Sequence, residues 1–285
     1  MSRQRKGPRR RDHRTQASLP PMSRERVTIE ISGHVATVTL NRPEKHNALD
    51  LPMFEAIAAA SAQLSAARGV RAVVLHGAGP SFCAGLDLGA ALGATDEPSP
   101  LQRLHGPVPN LFQRCAYGWT MLPAPVIAAV HGNCLGGGLQ IALGADLRIA
   151  RSDARLSVME VKWGLVPDMA ITRTLPRLVG IDVAKELTFT ARVVSGEEAW
   201  RLGLVTRLAE DPLAAAHELA AEIAGRSPDA VRAAKRLLEE SWCAPGERTL
   251  ALEAELQRSL IGTANQLAAA QAGLAGHPAE FADPE

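Results

Sequence analysis

The chain has 285 residues and a formal net charge of +1; 46% of it is apolar, 21% charged and 4% aromatic. That length can bury one sizeable core, or one core with a small appendage, and no unbroken apolar run is long enough to span a bilayer. Scarce aromatics argue against a base-stacking nucleic-acid surface, and Cys83, Cys115, Cys134 and Cys243 show neither metal-site spacing nor a disulfide framework, so reduced thiols in a cytoplasmic protein are expected.

Charge is unevenly placed along the chain. Residues 1–21 hold Arg3, Arg5, Lys6, Arg9, Arg10, Arg11 and Arg14 against Asp12 alone, six net positive charges, which leaves five net negative charges on residues 22–285. With four Gly and Pro residues and no apolar periodicity, residues 1–22 are expected to form a disordered basic tail. They lack the apolar stretch of a secretory signal, and Met22 resembles a natural start. From Val27 strands and helices alternate. Val35–Leu40 has the period of two of a half-buried strand, and Asn41-Arg42-Pro43 breaks it. Asp50 is placed to cap a helix with Pro52 in its first turn and Phe54, Ile57, Ala58 and Leu64 on one face. Residues 73–76 predict a short strand. Residues 90–109, rich in Gly, Pro and small residues, predict a mobile loop with short helical pieces. Strands are predicted near 126–130 and 146–150, on either side of a glycine-rich helix. Past Ser195 helical spacing recurs at 196–202, 212–223, 228–241 and 250–270. Strand–helix alternation of this kind implies an α/β core.

Two strand-to-turn junctions carry chemistry. At the first, an apolar run ending at Val130 leads into Gly136-Gly137-Gly138-Leu139-Gln140, with a helix expected from Leu139. Glycines there let a ligand approach bare backbone, and the first N–H groups of a helix lack internal acceptors and favour negative charge. The turn ends Gly-Leu-Gln, so it is not a P-loop, and it lacks the G-x-G-x-x-G of a dinucleotide site; it suits a small oxyanion. At the second, strand 73–76 runs into Gly77-Ala78-Gly79-Pro80-Ser81-Phe82-Cys83-Ala84-Gly85-Leu86-Asp87-Leu88. One N–H from each turn, aimed at one carbonyl oxygen, would form an oxyanion hole, in which each donor is worth about 3–4 kcal/mol. Spacing alone does not say whether the turns meet.

Three segments, Leu40 to Leu49 (Leu-Asn-Arg-Pro-Glu-Lys-His-Asn-Ala-Leu), Phe82 to Leu88 and Gly132 to Gly138 (Gly-Asn-Cys-Leu-Gly-Gly-Gly), resemble the crotonase (enoyl-CoA hydratase/isomerase) superfamily in order and separation. The resemblance runs from about Ser23 to the C-terminus. It implies a crotonase-like spiral of ββα repeats over residues 23–194 and a C-terminal helical trimerisation region over 195–285, in a homotrimer or dimer of trimers. It implies an acyl-CoA thioester as substrate, with no cofactor beyond the CoA that the substrate carries; composition and cysteine spacing lead to no expected metal or membrane partner and disfavour a nucleic-acid one. The N–H groups of Leu86 and Gly137 become the implied oxyanion hole. Lys45, Ala48, Ala84 and Leu86 become CoA-binding positions. The acyl pocket is expected from residues 88–111 and Trp163.

Hydratases of this family use two glutamates, and the first of those positions matches Gln140 here. The second matches Glu160. An acid at Asp168 resembles the dienoyl-CoA isomerase branch, whose members also carry an acid where this chain has Gln140. Glutamine can hold a water or a carbonyl but cannot transfer protons. Hydration ordinarily wants two acid–base groups, whereas moving a double bond needs only removal and return of a proton, which Glu160, alone or with Asp168, can perform. Isomerisation therefore ranks above 2-enoyl-CoA hydration, with Glu160, Gln140 and Asp168 as the catalytic candidates. Bland readings stand beside these. Asp168 could cap a helix after Pro167, Glu160 could form a surface salt bridge, and His46 and His131 are expected to be structural. The alternative from another class is a CoA-thioester-binding sensor or scaffold with weakened catalysis.

Overall fold

The computed structural model describes residues 25–92 and 108–284. The tail expected at 1–22 lies wholly outside the described residues, and so does most of the loop expected at 90–109. Strands β1 (Val27–Ser32) and β2 (Val35–Leu40) form an antiparallel hairpin in which Val27 faces Leu40 and Ser32 faces Val35. The period-two reading of β2 holds: Ala36, Val38 and Leu40 are fully buried and the intervening residues are half-buried. After a 3-10 turn at Pro43–Lys45, helix α1 spans Leu51–Ser65. The Asp50 carboxylate caps it, accepting from the Met53 N–H at 2.9 Å, and Met53, Phe54, Ile57 and Leu64 are buried along its length.

Strand β3 (Ala72–Gly77) opens the parallel part of the main sheet. The chain continues through α2 (Leu88–Leu92), α3 (Leu111–Thr120), β4 (Val126–Val130), β5 (Asn133–Leu135), α4 (Gly137–Leu143), β6 (Leu147–Ala150) and β7 (Arg155–Ser157). Next come α5 (Ile171–Thr174), α6 (Ile181–Thr190), β8 (Val194–Ser195), α7 (Gly196–Leu202) and β9 (Arg207–Leu208). The main sheet has the order β1-β2-β3-β4-β6-β9, parallel from β2 onward. A smaller sheet, β5-β7-β8, lies beside it, and single bridges from Cys83 to Cys134 and from Leu49 to Leu86 extend that layer. The repeat is legible: a main-sheet strand, a short second-layer strand, then a helix, as in β4-β5-α4. This is the spiral of ββα units that the family resemblance implies.

Both faces of the main sheet are covered. Val73 and Leu75 point into the larger core with α1 and α3, while Ala72 and Val74 join Ile127, Ala129 and Ile149 beneath Ala216 and Ala220 of α8 (Pro212–Ala224). Burial on both faces explains why β3 and β4 read as unbroken apolar runs. The chain past Ser195 thus still contributes to the core, through β9 and α8. Helices α9 (Pro228–Ser241), α10 (Gly246–Leu260) and α11 (Ala264–Ala275) complete the C-terminal region. The single helical stretch expected at 250–270 is two helices. Gly262 takes a left-handed φ of +81°, and the Thr263 side chain caps α11 by accepting from the Gln266 N–H. Lys235 of α9 anchors this region to the core through Asp146 at 2.7 Å and the carbonyls of Trp119 and Ala124. Among the described residues no helix is long and apolar enough to cross a membrane.

Candidate active site

The two glycine turns meet. Asn47, fully buried in a left-handed conformation, donates from Nδ2 to the carbonyls of Ala78, Ser81 and Phe82 and so shapes the chain leaving β3. Cys83 then pairs with the segment before α4: its N–H donates to Asn133 O at 2.9 Å, and Leu135 N–H donates to Cys83 O at 3.0 Å. One step on, Leu49 N–H donates to Gly85 O at 2.8 Å and Asp87 N–H to Leu49 O at 3.0 Å. In such a parallel bridge the N–H of the central residue, Leu86, points away from Leu49. Gly85 sits at φ +85°, where a β-carbon would lie 2.7 Å from Leu135 O and 3.6 Å from Gly137 N. Glycine at that position lets the backbone before Leu86 come against the start of α4. Among the described residues neither the Leu86 nor the Gly137 N–H has an acceptor.

Helix α4 begins at Gly137 rather than at Leu139 as the pattern suggests. Its glycines are packing positions as much as turn positions: a β-carbon at Gly138 would lie 2.5 Å from Cys83 O.

Leu86 and Gly137 line one cavity of about 230 Å³, with Ala84, Glu160 and Asp168. Its apolar wall comes from Leu49, Phe54, Leu88, Phe112, Met169 and Trp163. Trp163 and Leu88 are where the acyl pocket is expected. Phe112 stands one residue beyond the expected stretch, edge-on to Phe54 with ring centroids 4.7 Å apart. Residues 93–107 of that stretch lie outside the described residues.

Glu160 opens the 3-10 turn Glu160–Trp163 that follows β7. Burial raises its carboxyl above the ordinary glutamate range; a hydrogen bond from Gln140 opposes this, and the charge of Asp168 adds to it. Its Oε1 accepts from Gln140 Nε2 at 2.6 Å, while Oε2 is buried without a partner. Among the described residues Glu160 makes no salt bridge: it is a half-buried residue on a cavity wall. Asp168 lines the same cavity, and burial raises its carboxyl too. It does not cap a helix, because α5 starts at Ile171 behind Ala170, with no side-chain cap.

Gln140 is not on the cavity wall. It is 1% exposed, and its amide is occupied at both ends, by Glu160 and by the Met169 N–H at 2.8 Å. The reading of Gln140 as a holder of water or of a substrate carbonyl is corrected accordingly.

The nucleotide-end candidates are dispersed. Lys45 is exposed at the end of its 3-10 turn. Ala48 is half-buried, with its N–H bonded to Lys45 O and its carbonyl accepting from Arg42 Nη1, both at 3.0 Å. Ala84 reaches the cavity, and its N–H donates to His46 O at 2.9 Å. Nδ1 of His46 meets Ser81 Oγ, and Nε2 of His131 meets Gly79 O, both at 2.9 Å. Sequence reasoning missed the Arg42 cluster, in which Arg42 pairs with Asp87 at 2.7 Å and Asp50 at 3.6 Å and so ties the turn after β3 to the start of α1. An arginine beside Pro43 and two acids 37 residues apart give no local signal of that pairing. Among the described residues no group of three or more His, Cys, Asp or Glu side chains is placed to hold a metal.

The family model for enoyl-CoA hydratase/isomerase matches residues 30–277. A short-chain-enoyl-CoA hydratase of Clostridium acetobutylicum is 36% identical over 250 residues, 86% of this chain and 93% of that one. The mouse mitochondrial Δ(3,5)-Δ(2,4)-dienoyl-CoA isomerase is 34% identical over 250 residues, 85% of this chain and 76% of its own. The crystal structure of an enoyl-CoA hydratase from Bacillus anthracis superposes with a TM-score of 0.83 at 31% identity, covering 90% of this chain and 98% of the other. The chain belongs to the enoyl-CoA hydratase/isomerase family and is an enzyme of the crotonase fold.

Proposed function

We propose that the protein moves a carbon–carbon double bond in an acyl-CoA thioester, with Glu160 transferring the proton. The observation that carries this reading is the pair of carboxyls on the cavity wall, Glu160 and Asp168, with Gln140 turned away from it. Hydration by two flanking carboxylates needs an acid where Gln140 stands. Isomerisation needs a base, a place for negative charge and an acid. In a 3-enoyl-CoA, Glu160 takes a proton from the carbon next to the thioester. The electron pair moves onto the thioester oxygen, which accepts hydrogen bonds from the Leu86 and Gly137 N–H groups. As the enolate collapses, Glu160 returns the proton at the far carbon, or a protonated Asp168 gives its own proton there and regains one from Glu160, and the double bond comes to rest beside the thioester. Atoms and charge balance with no separate cofactor.

Two relatives lend their printed activities to the two halves of this choice, a dienoyl-CoA isomerase and a short-chain hydratase. The same cavity would serve a CoA-thioester-binding sensor or scaffold if the proton transfer were lost, but two carboxyls raised by burial at its wall favour catalysis. Lys45 as a phosphate contact, Ala48 and Ala84 as backbone contacts, self-association through the C-terminal helices and a cytoplasmic location complete the proposal. The test is a mass-spectrometric and absorbance panel of 3-enoyl-, 2-enoyl-, dienoyl- and malonyl-type CoA esters. A mass-neutral change of absorbance supports isomerisation. Faster addition of water would make the enzyme a hydratase, and binding without turnover of any ester would leave the sensor.

A further inference from the structure

Gln140 marks the departure of this chain from the hydratase pattern, and its amide has one possible sense. A backbone N–H can only donate, so the Gln140 atom 2.8 Å from Met169 N is the amide oxygen. The other end, 2.6 Å from Glu160 Oε1, is then the NH2 group. Flipping the amide would turn donor onto donor and acceptor onto acceptor. One side chain thereby joins three segments: α4, whose first residue lines the cavity, the turn that carries Glu160, and the stretch that carries Asp168.

We infer that Gln140 is a positioning residue, an amide latch that reserves Glu160 Oε1 for the protein and leaves Oε2 as the oxygen that moves protons. The inference rests on the proposed role of Glu160. Oε2 is covered but has no hydrogen-bond partner among the described residues, so it is the carboxyl oxygen that the protein does not already hold. Several charged groups stand on the elements packed around Glu160: Asp168 before α5, Lys162 on its own turn, and Asp182, Lys185 and Glu186 on α6. Of these, Asp168 is the one whose charge acts on it.

The latch reverses the simple expectation for a carboxylate at position 140. In Gln140→Glu the Met169 N–H keeps its acceptor, but the second oxygen meets Glu160 Oε1 at hydrogen-bond distance. Two carboxyls so placed must share a proton. The substitution would hold Glu160 protonated instead of adding a second acid to the cavity.

The experiment compares wild type with Gln140→Met, which keeps the volume and removes both hydrogen bonds, and with Gln140→Glu. Two readouts are taken: the pH dependence of kcat on the best ester of the panel, and the titration of the Glu160 carboxyl by infrared difference spectroscopy, its band identified by its loss in Glu160→Gln. In Gln140→Met the acidic limb of kcat and the carboxyl titration should both move up by about one pH unit or more, and plateau kcat should fall about 10–100-fold, with KM little changed. In Gln140→Glu both should move higher still. A Glu160 titration unchanged in either variant overturns the latch, as does a gain of hydration in Gln140→Glu, which requires that side chain to enter the cavity. Failure of the functional reading is separate: turnover by Glu160→Gln at the wild-type rate removes Glu160 from the chemistry, while the infrared titration still tests the latch.

Discussion

Glu160 is where burial, hydrogen bonding and the proposed chemistry coincide. Glu160→Gln keeps the shape and can still accept from Gln140, but it cannot exchange a proton. Steady-state kinetics should show turnover lower by roughly 10²–10⁴-fold with thioester affinity largely retained. An undiminished rate would move the chemistry to Asp168. The same residue predicts a pH effect on stability. Its folded-state pKa is raised, so its contribution is present below the unfolded-state value and is lost as pH rises through the raised one. In thermal melts Glu160→Gln should therefore be the more stable protein at about pH 8 and level with wild type at about pH 4. A lower melting temperature at the higher pH would mean that ionised Glu160 stabilises the fold.

At the scale of elements, the active site depends on how closely α4 approaches the turn after β3. Gly138→Ala would place a β-carbon 2.5 Å from Cys83 O, a backbone atom that cannot swing aside. A loss of about 1–3 kcal/mol in denaturant unfolding is expected, with turnover reduced by more than the loss of folded protein explains. Gly276, at φ +73° after α11 with open space around it, is the control. Gly276→Ala should cost about 1–2 kcal/mol from backbone strain alone and leave kcat unchanged. If both variants lose activity alike, the approach of α4 to the turn is not what sets the rate.

For the whole molecule, the tail and the C-terminal helices raise separate questions. The composition of residues 1–21 cannot support a packed core, so a chain beginning at Met22 should match the full chain in melting temperature and turnover. A clear loss in either would show that the tail docks. Leu238 on α9 and Trp242 just past its end have more than half of their surface exposed, an apolar pairing that suits self-association. Light scattering should give a mass of three or six chains. Leu238→Glu with Trp242→Glu should shift it toward one chain, and a wild-type protein that runs as one chain would refute the proposed trimer.

The sequence by itself determined the local and the linear: the period-two β2, the Asp50 cap, the buried β4, the family motifs, and Glu160 and Asp168 as the acids to watch. Each depends on neighbours along the chain or on the order of short segments. Tertiary structure decided what depends on distant partners. The two- and three-residue strands β5, β7, β8 and β9 have too little sequence to show a period, and they exist because a neighbouring strand offers its hydrogen bonds. The break at Gly262 interrupts a run of helix-favouring residues that looks continuous on either side. Gln140 is the clearest case. Its identity was plain in the sequence, but whether its amide met solvent, substrate or protein depended on Glu160 and Met169, 20 and 29 residues away. A hydrogen bond across such a separation leaves no periodic trace, because it is set by how the chain packs and not by the local pattern of its residues.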